Sequence, residues 1–184
     1  MALQNLYSPL QKARTKTYIA FDGDTDLMSY RTIQSWSADP KYPFVLNNAH
    51  DVNYARDDSL PESIINQLRE RLDVSTHVVL IIGSVTNRNR RGILQYEIRY
   101  ALRYKLPVIL VFQGFSSDHD NSERLWNERL KPKIPAVLRD WPTEDKHCVV
   151  CPFTRERVVE AIYTYSHTSL PSQGYTWCWK PRYF

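Results

Sequence analysis

Glu97 is the side chain whose position most needs a chemical explanation. Over Arg91–Lys105 the apolar residues recur at helical spacing, and at about 100° per residue Ile93, Leu94, Ile98, Ala101 and Leu102 share one arc. Gln95, Arg99 and Arg103 fall opposite them, on the expected wet face. Glu97 falls between Ile93 and Ala101, inside the apolar arc. A carboxylate taken out of water is costly, so it must be paired, protonated or lining a cleft. In a cleft it could stabilise positive charge developing on a substrate. Paired with an Arg at the edge of the core, it would be structural.

A second group of chemistry-bearing residues follows the first apolar run. Phe21-Asp22-Gly23-Asp24-Thr25-Asp26 brings an aromatic ring and three carboxylates, and Gly83-Ser84-Val85-Thr86-Asn87 brings hydroxyls and an amide after a later one. Both stretches also make ordinary polar caps to strands. The acidic stretch resembles the D-x-D-x-T/V nucleophile loop of haloacid-dehalogenase-type phosphatases. Its fifth position is Asp26, however, and the later acidic pair that would hold Mg²⁺ is missing. A response-regulator receiver would end its third strand on a phosphoacceptor Asp, where this chain has Gly83-Ser84.

Other constellations point away from familiar chemistries. The five glycines, at 23, 83, 92, 114 and 174, form neither G-x-G-x-x-G nor the G-x-x-x-x-G-K of a P-loop. No G-x-S-x-G elbow marks a nucleophilic serine. The histidines at 50, 77, 119, 147 and 167 show no metal-ligand pairing, so no resident metal or cofactor is expected. Cys148-Val-Val-Cys151 has the C-x-x-C spacing but lies in a strand pattern, where residues three apart face opposite ways. Buried strand cysteines are the expectation. The Arg88–Arg91 cluster is a solvated loop or an attractor of substrate phosphates.

The elements that must position these residues alternate along the chain. Strands are expected at Thr17–Phe21, Pro43–Leu46, His77–Ile82, Pro107–Phe112 and Cys148–Phe153. Helices are expected at about Thr25–Ser37, Leu60–Leu72, Arg91–Lys105, Ser122–Leu130 and Thr154–Tyr165. The unbroken runs V-V-L-I-I and V-I-L-V-F suit parallel strands covered on both faces. Ser59-Leu-Pro-Glu62 has capping-box spacing ahead of Ile64, Ile65, Leu68 and Leu72. The pattern predicts a three-layer α/β domain, a flavodoxin-like five-stranded parallel sheet in order 2-1-3-4-5. Ligands of such sheets bind where strand order reverses, here between the first and third strands.

Composition agrees with one soluble domain. The 184 residues are 42% hydrophobic and 24% charged, with a net charge of +4 and three cysteines. That excludes a disordered chain, a coiled coil and a disulfide scaffold, and the mild positive charge without a basic stripe does not signal nucleic acid. No apolar run approaches the roughly 20 residues of a membrane span, so no membrane partner and a cytoplasmic location are expected. Residues 1–16 are expected to be an extension, 17–167 the domain, and 168–184 an aromatic tail packed on the domain or on a partner.

Tyr18-Ile-Ala-Phe21-Asp22, then Ser75-Thr-His-Val-Val-Leu-Ile-Ile-Gly83-Ser84-Val-Thr86, then Tyr96-Glu97-Ile98 and Pro107-Val-Ile-Leu110 together resemble the TIR-like domain family. Within it they are most similar to the Thoeris-type ThsB branch of bacterial antiphage proteins. The resemblance covers roughly residues 17–165, and I-I-G-S-x-T followed by Y-E-I is its most specific part. It implies a TIR-type fold and cleavage of NAD⁺ as substrate, releasing nicotinamide. An ADP-ribose-derived signal, hydrolysed or cyclised, would then activate a separate effector. Glu97 matches the family's catalytic Glu, and Phe21, Asp22, Ser84 and Asn87 would bind the substrate. Activity in a homo-oligomer is implied too. A non-enzymatic TIR-like signalling or scaffolding module is the alternative, and the Mg²⁺-dependent phosphatase a lesser one. Ile93 stands where related sequences often carry Trp, a turn before the Glu.

Overall fold

The computed structural model of the chain describes residues 14–41, 43–47, 62–88, 92–115 and 123–178. Six strands form one sheet: β1 (Lys16–Ala20), β2 (Leu46–Asn47), β3 (Ser75–Ile82), β4 (Val108–Phe112), β5 (His147–Pro152) and β6 (Gly174–Trp177). Their order is β2-β1-β3-β4-β5-β6, and every pairing is parallel. The first five keep the flavodoxin-like order. The expected count of five is corrected to six. Gly174–Trp177 supplies the extra strand, pairing Cys148 with Tyr175 and Val150 with Trp177.

The helices are α1 (Leu27–Ser37), α2 (Glu62–Asp73), α3 (Ile93–Arg103), the short α4 (Glu123–Leu125), α5 (Ala136–Arg139) and α6 (Arg155–Thr164). Period-two alternation along the strands sorts the core into two layers. Tyr18, Ala20, Val78, Leu80, Val108 and Leu110 pack with Leu72 of α2 and Leu94, Ile98, Ala101 and Leu102 of α3. Ile19, Phe21, Val79, Ile81, Ile109 and Val111 pack on the other face with Tyr30 and Ile33 of α1 and Val158, Ala161 and Ile162 of α6. Cys148 belongs to the first layer and Cys151 to the second, and both are buried free thiols.

Three local expectations need correcting. β2 is Leu46–Asn47 rather than Pro43–Leu46, because pairing with Thr17 and Tyr18 fixes its register. The single fourth helix is instead α4 continued by a π-helical turn at Trp126–Leu130 and a 3₁₀ turn at Lys131–Lys133, with Pro132 ruling out a regular α-helical continuation. Gln95 is buried rather than wet, because α5 lies across that flank of α3. Ser59 of the capping box, most of the Arg88–Arg91 cluster and the tail beyond Cys178 lie outside the described residues, as does all but Glu123 of the stretch 116–123, which the sequence reads as a polar loop.

Candidate functional site

The reversal of strand order falls between β1 and β3, and two loops leave the sheet there. In the first, Asp22 Oδ1 accepts hydrogen bonds from the backbone N–H of Asp24 and of Thr25 and from the Thr25 hydroxyl, each 3.1 Å long. Asp22 therefore closes a turn that leads into α1. Asp26, at the end of that turn, is 1% exposed. Its Oδ1 accepts from Gln113 Nε2 at 2.9 Å, and its Oδ2 accepts from the Thr86 hydroxyl at 3.5 Å. Burial raises the Asp26 pKa against the opposing hydrogen bond from Gln113.

The second loop is built around the same carboxylate. The backbone N–H of Gly83 donates to Thr86 Oγ1 at 2.7 Å. A Cβ on Gly83 would stand 2.2 Å from Asp26 Oδ1, so glycine is required there by close approach. Ser84 is exposed at the head of this loop. Asn87, in the 3₁₀ turn Thr86–Arg88, donates from Nδ2 to the Pro132 carbonyl at 2.9 Å and braces the loop from outside. Gln113 also reaches Ser29 Oγ at 2.8 Å. The ends of β1, β3 and β4 are thus tied together through Asp26.

Glu97 lies below this rim, on the α3 face of the sheet, and is 3% exposed. Its Oε1 accepts a 2.5 Å hydrogen bond from the phenol of Tyr18, on β1. Burial pushes the Glu97 carboxyl up to about 8, against the hydrogen bond from Tyr18 and the positive charge of Arg71. Burial and Glu97 together hold the Tyr18 phenol well above its ordinary pKa. The hydrogen-bond partner of Glu97 is therefore a phenol. Arg71, on α2, acts on it through charge, and its own Nη1 is buried without a hydrogen-bond partner.

Phe21 lies on the opposite face, 5% exposed and stacked on Tyr30 at 4.7 Å between ring centroids. The structure thus gathers Asp22, Ser84 and Asn87 at one end of the sheet, sets Glu97 beneath them on one face, and seats Phe21 in the other. Sequence reasoning passed over Tyr18 and Gln113. An amide directly after a fully apolar strand was the available signal for Gln113. A hydroxyl within the β1 apolar run was the signal for Tyr18. Among the described residues no group of three or more His, Cys, Asp or Glu is arranged to hold a metal ion. The chemistry on offer is that of a carboxyl that switches between neutral and charged near neutral pH, under a polar rim.

Two comparisons bear on what this arrangement is for. The family model described as Thoeris protein ThsB, TIR-like domain, matches residues 18–118, from Tyr18 through the rim and Glu97 to the end of β4 and beyond. No curated protein matches the chain.

Proposed function

The chain belongs to the Thoeris protein ThsB TIR-like domain family, over more than half its length, and from that premise we propose that it cleaves NAD⁺ with Glu97 as the catalytic carboxylate. Its broader role is of the TIR type in antiphage defence. The observation that carries the finer reading is Glu97 itself: a carboxyl buried on α3, raised to about 8, at the strand-order reversal. A strongly raised carboxyl pKa from burial, close to a polar rim, is the pattern from which functional-site candidates are drawn.

Breaking the nicotinamide–ribose bond develops oxocarbenium character on the ribose, as in glycoside cleavage. A carboxylate brought beside the ribose stabilises that charge. Nicotinamide leaves as a neutral molecule, so the step asks for no strong general acid and no metal. Asp22, Ser84 and Asn87 offer hydrogen-bonding groups at the rim, and Phe21 backs the same loop from the α1 side. The ADP-ribose fragment would be hydrolysed or cyclised and pass as a diffusible signal to a separate effector. Assembly of copies would complete the site.

The test is purified chain with NAD⁺, products resolved by mass spectrometry, beside Glu97→Gln. Nicotinamide released by the wild type and not by the variant supports the reading. Equal release by both removes Glu97 from the chemistry. The enclosure of Glu97 favours a second reading, a non-enzymatic signalling module, under which neither protein releases nicotinamide even in lysate from infected cells.

A further inference from the structure

The carboxyl assigned to catalysis is enclosed in the core. Glu97 is 3% exposed and Tyr18 is fully buried. Among cavities lined by described residues, one of about 600 Å³ between α3 and α5 and one of about 530 Å³ beside α1 and α6 have walls that do not include Glu97. A group that stabilises charge on a ribose must come within hydrogen-bond reach of it. Tyr18 sits two residues before the end of β1, so the bond draws the carboxyl down into the sheet and away from the rim.

We propose that Tyr18 is a latch: its phenol holds the Glu97 carboxyl inside the core, and the enzyme becomes competent when that bond breaks and the carboxyl swings toward the rim. The inference rests on the reading of Glu97 as the catalytic carboxylate. The helix supplies a route. Side chains on a helix lean toward its N-terminus, and the N-terminal end of α3 follows the Gly83–Arg88 loop at the rim. On this proposal a change of χ angles would carry the carboxyl toward the N-terminal end of α3 and the rim loop that precedes it.

The charged and titratable groups around the latch come from three elements. Tyr18 on β1 donates the bond, Arg71 on α2 favours the ionised carboxyl, and Tyr96 on α3 adds to the raised pKa of Tyr18. Burial outweighs Arg71, so the inward carboxyl is mostly neutral at pH 7. The outward carboxyl is solvated and ionises in the ordinary range. Proton loss and release are thus coupled, and rising pH or any partner that pulls the carboxyl outward unlatches it.

Tyr18→Phe keeps the ring and removes the donor, leaving a buried carboxyl without its partner. Two readouts are taken on the full chain. Nicotinamide release from NAD⁺ is followed from about pH 6 to about pH 9. The Glu97 carboxyl carbon is titrated by ¹³C NMR without NAD⁺, its signal identified by its loss in Glu97→Gln. The latch predicts about a tenfold rise in kcat/KM at pH 7, the cost of one lost buried partner. The Tyr18 bond itself lowers the pKa of the inward carboxyl, so its loss would move a carboxyl that stayed inside to higher pH; only a carboxyl released outward moves the acid limb and the titration to lower pH, as the latch predicts. A slower variant whose limb moves to higher pH makes Tyr18 a positioning group for the reaction and overturns the latch. An unmoved titration overturns it as well. If the titration moves as expected and neither protein releases nicotinamide, the latch stands and the NAD⁺ reading fails.

Discussion

Glu97→Gln should leave the fold intact and change how its stability depends on pH. The glutamine carbonyl can accept the Tyr18 hydrogen bond, and the side chain never ionises. In the wild type the carboxyl is raised from its ordinary 4.5 to about 8, so the folded chain holds a proton that the unfolded chain gives up. A folded-state pKa raised in this way gives stability fully present below 4.5 and lost as pH rises through about 8. Within that window the loss is on the order of 1 kcal/mol per pH unit, or about 3 kcal/mol between pH 5 and pH 8. Buried His77 opposes it on the acid side, since burial pushes its pKa down to about 4. His77 is common to both proteins and cancels in their difference. Urea unfolding followed by tryptophan fluorescence at several pH values gives that difference directly. The variant should match the wild type near pH 5 and exceed it by about 3 kcal/mol at pH 8. Two parallel curves would show that Glu97 ionises freely in the folded chain, and the argument from its burial would fall.

The remaining predictions concern the rim and the lower part of the sheet. Gly83→Ala places a methyl group against Asp26, whose carboxylate is held by Gln113 and Thr86, and should cost about 1–3 kcal/mol in urea unfolding. In an Asp26→Ala background the same change should cost much less, and an unchanged cost in that double-mutant cycle would refute the close approach. His77, held between the hydroxyls of Thr17 and Thr76, should make the fold lose stability as pH falls from 6.5 toward about 4, by about 3 kcal/mol. His77→Gln should remove that loss; an identical acid-unfolding curve would mean that His77 takes up its proton without leaving the core.

How far the sequence told the structure depended on how strongly each segment was patterned. The runs V-V-L-I-I and V-I-L-V-F are long, apolar and β-branched, and they became the two central strands with every side chain buried. β2 was misplaced because a two-residue strand has no periodicity of its own, its register being set by Thr17 and Tyr18. β6 went unrecognised as a strand because G-Y-T-W at the start of an aromatic stretch suits several kinds of packing. Only the edge offered by β5 makes it a strand. Gln95 was misjudged by treating α3 alone, since the four-residue α5 that covers it carries too little pattern to anticipate.

The candidate site divides in the same way. Glu97 was visible because one charge inside an apolar helical arc conflicts with its surroundings, and burial at 3% follows from that position. Its partner was not visible, because pairing Tyr18 with a residue 79 positions away depends on which strand lies under which turn of α3. Asp26 stood in a run of three carboxylates whose types alone did not rank them; the sheet ranks them, with Asp22 capping a turn and Asp26 joining three strand ends.

That ranking also bears on where movement can occur. Asp26 is joined to Thr86, Thr86 to Gly83 and Gln113 to Asp26 by a chain of hydrogen bonds, and breaking the link at Gly83 or Thr86 leaves a buried polar group without its partner. The rim is therefore the stiff part of the site. The Glu97 carboxyl is joined to the rest by one bond from Tyr18, on a side chain with three rotatable angles, and ionisation itself opposes its burial. On the proposed reading, a change between silent and competent states would therefore cost least at Glu97, with the carboxyl moving toward the rim.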